Sequence, residues 1–260
     1  MNAEKQAAIL RNKSHDEPSV FLPENLLREA RRQKNKVECG VPKFCVLDPD
    51  GDLANYLIEK NIAEKNECWS CYHSKLYSFI IDDAEIGIIP YVVGASYAVL
   101  VAEQLFVSGC EFLISITSAG IINEPKTAKR FALITEAIRD EGTSYHYLPK
   151  DKPAQLSTQL HQKLTENNLW FQARSWTTDA PYRETNSAIK AMKGEKVTCV
   201  EMEASALYAF AEAKGKNIIC FAHLTNTMAQ QEGDFEKGEF FGSLESLELL
   251  KKALINLKDN

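Results

Sequence analysis

VEMEASALYAFAEAKG, residues 200–215, changes character within three residues. VTCV at 197–200 is mostly β-branched and reads as a short strand. From Ala204 the chain becomes Ala-rich with Leu207, Phe210 and Ala213 on several faces, the pattern of a helix buried nearly all round. Glu201 and Glu203 flank Met202 at the junction. Carboxylates at the mouth of a buried helix are costly unless something satisfies them. One reading is that they cap the positive helix N-terminus. The other is that a carboxylate at the carboxyl end of a strand accepts hydrogen bonds from a pair of hydroxyls, as on a sugar, because ligands of α/β sheets bind there.

The same strand–helix alternation extends outward. Strands are expected at 44–47, 76–81, 85–89, 112–116, 131–135, 169–175 and 218–224. Helices are expected from Pro23, at 53–64, from a Ser96 cap to 108, at 154–166, 184–192 and 243–257. This predicts an α/β fold, a single three-layer domain with a largely parallel sheet and a mixed portion at the two short consecutive strands. Residues 1–41 form an arm and a helix with a basic face (Arg28, Arg31, Arg32, Lys34), and 42–260 the body.

The composition narrows the function classes. The 260 residues are 45% hydrophobic, enough for a sizeable core, and carry a net charge of −6, which argues against nucleic acid as partner. No apolar run reaches membrane-spanning length and 1–18 lacks a signal-peptide core. Seven scattered cysteines fit reduced thiols in a cytoplasm. Cys68-Trp-Ser-Cys71 lacks the second half of a zinc site and sits in a β-like stretch rather than at a helix start. Of the five histidines, His223 lies within a strand and reads as a satisfied core residue ahead of the alternative, a base.

Polar residues collect after four expected strands: Thr117-Ser118-Ala119-Gly120; the stretch from Arg139 to Tyr147; Thr177-Thr178-Asp179-Ala180-Pro181-Tyr182-Arg183; and Thr225-Asn226-Thr227-Met228. With Glu201-Met202-Glu203 they would line one crevice of the sheet. Small hydroxyls and a glycine at 117–120 let backbone N–H groups approach an anion.

Taken in order, GASYAVLVAEQL (94–105), SITSAG (115–120), RDEGTSYHY (139–147), TTDAPYRE (177–184), VEMEASALY (200–208) and TNT (225–227) resemble the nucleoside phosphorylase/nucleosidase superfamily over residues 42–258. The resemblance implies a mixed β-sheet forming a distorted barrel flanked by helices. It implies cleavage of the N-glycosidic bond of a nucleoside in purine salvage, by phosphorolysis to free base and ribose 1-phosphate. The enzyme would be a pentosyltransferase, working as a homo-oligomer (trimer or hexamer) on a small-molecule nucleoside. No metal or organic cofactor is implied; phosphate would be the co-substrate. Carried onto this chain, Glu203 accepts from the ribose hydroxyls, with Met202 beneath the sugar and Glu201 beside it. Tyr182, Arg183, Asp179 and Asn226 fall at the base, and Thr117, Ser118, Gly120 and Arg139 at phosphate or water. Asn226 and Glu203 would be catalytic. Asn226 replaces an acidic residue; its amide both donates and accepts, which suits a 6-oxopurine.

Three arginines that the phosphorolytic members place on phosphate are missing. Leu53 and Ser115 stand in two of the positions, and 71–74 contains none for the third. Asp48, Asp50 and Asp52 make that turn acidic. A phosphate without cationic partners is hard to bind. Besides a phosphorylase with an atypical phosphate site, built on Arg139, Arg183 or the basic helix, the sequence therefore admits a phosphate-independent nucleoside hydrolase or a non-catalytic nucleoside-binding homologue.

Overall fold

The structure is a computed structural model that describes residues 7–125, 127, 129–166, 169–226, 232 and 235–258. Its sheet has ten strands: β1 (Phe44–Asp48), β2 (Glu64–Lys65), β3 (Tyr77–Ile81), β4 (Ala84–Pro90), β5 (Phe112–Ile121), β6 (Phe131–Asp140), β7 (Ala154–Gln155), β8 (Phe171–Thr178), β9 (Cys199–Glu201) and β10 (Asn217–Asn226). Spatial order is β10-β6-β8-β9-β5-β1-β4-β3-β2, with β7 beside β6. Strand β10 also pairs with β5, so β5, β10, β6, β8 and β9 close on themselves as a barrel. Five pairings run parallel (β1–β4, β1–β5, β5–β10, β6–β8 and β8–β9) and five antiparallel (β3–β4, β2–β3, β6–β10, β6–β7 and β5–β9), so the sheet is evenly mixed rather than largely parallel. The expected α/β architecture with a mixed, barrel-forming sheet is thus present.

The helices are α1 (Pro23–Lys34), α2 (Asp52–Glu59), α3 (Ala95–Val107), α4 (Thr158–Thr165), α5 (Asn186–Gly194), α6 (Ala204–Lys214) and α7 (Ser243–Lys258). Helix α6 carries the quoted stretch. Every residue from Ala204 to Ala211 is buried, and the helix stops where Gly215 takes the left-handed conformation. Its one polar ring is satisfied inside: Tyr208 donates to the Ile134 carbonyl and accepts from the Cys220 N–H. None of the described helices is long and apolar enough to cross a membrane.

Several boundaries differ from the expected ones. Strands β5, β6, β8 and β10 run on through their polar ends, so Thr117–Gly120, Arg139, Thr177 and Asn226 are strand residues rather than loop residues. Backbone pairing in a closed barrel overrides side-chain polarity. Ser96 lies inside α3, whose cap position is Gly94. The segment 154–166 splits into β7 and α4, capped by Ser157, whose hydroxyl accepts from Leu160 N. The thiol reading changes too: Cys39 and Cys68 form a disulfide, while Cys71 is free and buried. Their approach follows from the docking of the α1 C-terminal region on residues 67–71, where Lys34 donates to the Ser70 and Cys71 carbonyls and Lys36 to those of Glu67 and Trp69.

Candidate active site

The end of β9 delivers Glu201 and Glu203 into the sheet in different ways. Glu201 accepts from the Ser175 and Thr177 hydroxyls and from the backbone N–H of Glu203 and Ala204. Those four donors occupy its carboxylate and tie β8 to the start of α6. Glu203, 2% exposed, reaches the other way. It accepts from Gly94 N at 2.7 Å and from Thr117 Oγ1 at 3.0 Å, so it joins the α3 N-terminus to β5. Gly94 can present its N–H there because its φ of 91° is open to glycine.

Burial raises both carboxyls. Glu201 has four donors to hold its charge, and burial together with that charge pushes Glu203 up to about 8. Glu203 is therefore largely protonated at neutral pH, with lone pairs on both oxygens still available to a hydroxyl.

One residue beyond Thr117, the backbone N–H of Ser118 donates to Asp50 Oδ2 at 2.9 Å. Asp50 Oδ1 faces Lys237 Nζ at 3.3 Å, and Lys237 also pairs with Asp52. Asp48 turns inward to accept from Gly51 N and Ala54 N, capping α2; burial, with the charges of Asp50 and Asp52, raises it to about 7. The anion-binding N–H expected at Ser118 is thus held by the protein's own carboxylate. A cavity of about 20 Å³ remains between Asp48, Asp50, Asp52, Ser118, His223 and Phe241, room for about one water.

Of the other expected site residues, Gly120 pairs through its backbone with Val200 and Asn226, which places the ends of β5, β9 and β10 together. Met202 is half-buried between the two glutamates. Tyr182, 99% exposed, lies with exposed Arg183 on a 3₁₀ turn, and Asp179 accepts from Gly142 N. Thr227 and Met228 lie outside the described residues. Arg139 is not brought to Ser118. Its guanidinium donates to Ser144 Oγ and to the carbonyls of Leu148, Pro149 and Lys152, pinning the chain beyond β6. The basic face of α1 is likewise committed: Arg31 pairs with Glu38, Arg32 with Glu29, and Lys34 with backbone carbonyls.

Lys237, which pairs with two of the carboxylates lining this cavity, had no signal in the sequence. Lys237 stands 185 positions from Asp52 in an unremarkable stretch. His223, expected to be a satisfied core residue, is 4% exposed and stacks on Phe131 with centroids 4.4 Å apart, but its Nε2 has no hydrogen-bond partner among the described residues.

Comparison with known proteins identifies the family and the fold. A sequence profile of the phosphorylase superfamily matches residues 43–253. An uncharacterized protein of Acanthamoeba polyphaga mimivirus is 28% identical over 141 residues, 54% of this chain and 56% of that protein, so the chain spans about half the length of the curated relative it matches. Among solved structures, uridine phosphorylase from Vibrio fischeri, complexed with 6-hydroxy-1-naphthoic acid, superposes with a TM-score of 0.70 at 18% identity over 88% of this chain and 99% of that one. Purine nucleoside phosphorylase from Toxoplasma gondii, in complex with immucillin-H, gives 0.68 at 19% identity over 86% and 93%. At such identities the likeness is one of fold.

Proposed function

The chain belongs to the phosphorylase superfamily, and from that premise we propose that it is an enzyme that cleaves the N-glycosidic bond of a nucleoside, with water as the nucleophile. The observation that carries the choice of water is the Ser118–Asp50 hydrogen bond. A carboxylate seated on the anion-binding N–H repels phosphate, and the space beside it holds about one water.

In this reading Glu203 and Met202 receive the ribose, and Glu201 holds the β9–α6 junction rigid behind them. As the base leaves with the bonding electrons, positive charge develops on the sugar. Asp50, and Glu203 in the fraction of molecules in which it has lost its proton, then stabilise the transition state more than the ground state. The backbone of Asn226 ends β10 opposite Gly120, and in this reading the base is assigned to Asn226, Tyr182, Arg183 and Asp179. An amide that donates to N7 or O6 and accepts from N1–H favours a 6-oxopurine. We include a homo-oligomer in the proposal, because Tyr182 and Arg183 are exposed in the single chain and would be covered by a second copy.

Phosphorolysis is the second reading, favoured by the superfamily match and by Lys237. If Asp50 turned aside, a phosphate oxygen would find the Ser118 N–H and an ammonium group together. Incubating the purified chain with inosine, guanosine, adenosine and uridine, with and without phosphate, decides between them. Base release from the oxopurine nucleosides at the same rate in both conditions is expected. Release that requires phosphate rejects the hydrolytic reading, and tight binding without release from any of the four rejects both.

A further inference from the structure

The cavity beside Asp50 contains a group that no step above uses. His223 and Ser118 are register partners on β10 and β5, so their side chains share a face. Both line the cavity, and both His223 Nε2 and Ser118 Oγ are buried without a hydrogen-bond partner among the described residues. Buried polar atoms are paired in the great majority of cases, and two such atoms bordering a space of about one water's size are the arrangement that a bound water satisfies.

The imidazole is held rather than loosely placed. Phe131 stacks on its face at an interplanar angle of 12°. Gly242, at φ 79°, closes on its edge: a Cβ there would lie 2.4 Å from Cε1. Only a glycine at 242 leaves the ring where it is. Burial, with Arg130 and Lys237 nearby, lowers the His223 pKa to about 4, against the opposing charge of Asp50. The ring is therefore neutral at physiological pH and has one nitrogen free to accept.

We propose that His223 is the general base for the attacking water, which it holds through Nε2 together with Ser118 Oγ beside the Asp50 carboxylate. The inference rests on the hydrolytic reading above. In the step, the water oxygen forms a bond to C1′ as the C1′–N bond breaks, and the glycosidic electron pair leaves with the base. One water proton passes to His223 Nε2, and the base takes up a proton from solvent. The imidazolium is steadied by Asp50 and then returns its proton to solvent, so the sum is nucleoside plus water to base plus ribose. The low basicity of this imidazole does not forbid the transfer, because a water adding to a sugar cation becomes strongly acidic as the bond forms.

The test compares wild-type chain with His223→Phe and His223→Ala in phosphate-free buffer, using whichever of the four nucleosides wild type hydrolyses fastest. Phe keeps a planar ring on Phe131 and removes the nitrogen. Ala leaves a hole of imidazole size that added imidazole can enter. The expected result is a kcat lower by about 10²-fold or more in both variants, with KM within about threefold, and partial recovery of the Ala variant in millimolar imidazole. Folding is checked by circular dichroism, and if the Phe variant does not fold the Ala variant decides. A folded variant with wild-type kcat overturns the inference, as does a variant changed only in KM or an Ala variant that imidazole leaves unchanged. If wild type releases base only with phosphate, the hydrolytic reading and this inference fall together. If wild type hydrolyses and the folded variants keep pace, only the role of His223 falls.

Discussion

Asp50 sits on the backbone N–H of Ser118, 2.9 Å from carboxylate oxygen to nitrogen. Thr117, the preceding residue on β5, donates its hydroxyl to Glu203. Two adjacent positions of one strand thus serve two different acids, one at the expected sugar side and one at the expected anion side. The second acid has its own cation in Lys237. This makes the anion side a closed ion pair whose components can be exchanged separately by mutation.

Replacing Asp50 with Gly removes the resident carboxylate and leaves the Ser118 N–H unoccupied, with Lys237 close by on Asp52. Inorganic phosphate should then bind measurably by calorimetry, where wild type shows none at the same concentration, and phosphate-independent base release should fall. Charge-assisted hydrogen bonds are about twice as strong as neutral ones, so the gain should be tenfold or more in affinity, on the order of 1.4 kcal/mol. Equal phosphate affinity in wild type and variant would show that Asp50 does not guard the site.

Glu203→Gln keeps the shape of the side chain and removes its titration. Base release should drop about 10²–10³-fold, the cost of losing one preorganised electrostatic group. Stability should move the other way at high pH. Glu203 has a folded pKa raised to about 8 from an ordinary 4.5, so the folded state binds more protons than the unfolded one between those values. Its contribution is fully present below about 4.5 and is lost as pH rises through 8. The melting temperature of Glu203→Gln should therefore exceed that of wild type at pH 8.5 by more than it does at pH 5.5. A difference that does not change between the two pH values would contradict the buried, protonated carboxyl.

The same ionisation sets the expected pH–rate profile. If charged Glu203 is the active form, kcat/KM climbs with pH and levels off above about 8. In Glu203→Gln that limb should vanish from the residual activity. A wild-type profile already flat from pH 6 to 9 would mean that Glu203 is ionised throughout or plays no part.

How much of this was legible in the sequence depends on the range of the interactions. The alternation that gives β9, α6 and β10 is local, and so is the glycine that ends α6 at 215. The polar ends of β5, β6, β8 and β10 were recognisable as a shared rim, but not as strand, because the barrel pairing that holds them extended comes from separate segments of the chain, as where Ser118 on β5 meets His223 on β10. Glu201 and Glu203 look equivalent in sequence; only the donors from β8 on one side and Gly94 on the other separate them. Arg139 carries the right charge in the right motif, yet the backbone carbonyls around it claim that charge. Lys237 and the unpartnered Nε2 of His223 have no sequence pattern at all, since both follow from what folds against β5.

Gly242→Ala tests the clamp on His223 without touching the cavity's polar atoms. The added carbon would lie 2.4 Å from His223 Cε1 and 2.9 Å from the Lys237 carbonyl, at a φ of 79° that L-residues rarely adopt. Left-handed strain costs about 1–3 kcal/mol, so the melting temperature should fall by several degrees, at about 2–4 °C per kcal/mol for a chain of this size. Base release should fall further than stability explains, because the ring is pushed off Phe131. A variant as stable and active as wild type would mean that the 237–242 segment does not bear on the histidine.

Arg139 separates a structural cation from a ligand-binding one. Its four hydrogen bonds to Ser144, Leu148, Pro149 and Lys152 fix the chain after β6, and its guanidinium lies 4.4 Å from the Tyr145 ring centroid. Burial lowers its pKa, but a guanidinium stays charged in proteins. Arg139→Gln shortens the reach and removes most of these donors, leaving carbonyls without partners. A loss of about 1–2 kcal/mol in urea unfolding follows, because an unsatisfied buried acceptor costs about 1–3 kcal/mol and only the bonds to Leu148 and Ser144 are part-buried, those to Pro149 and Lys152 being exposed. An arginine that served phosphate would behave oppositely, with stability nearly unchanged and a phosphate-dependent rate that collapses. The expected pattern is the first: a lower denaturation midpoint, and, at temperatures where the variant is folded, nucleoside cleavage within about threefold of wild type.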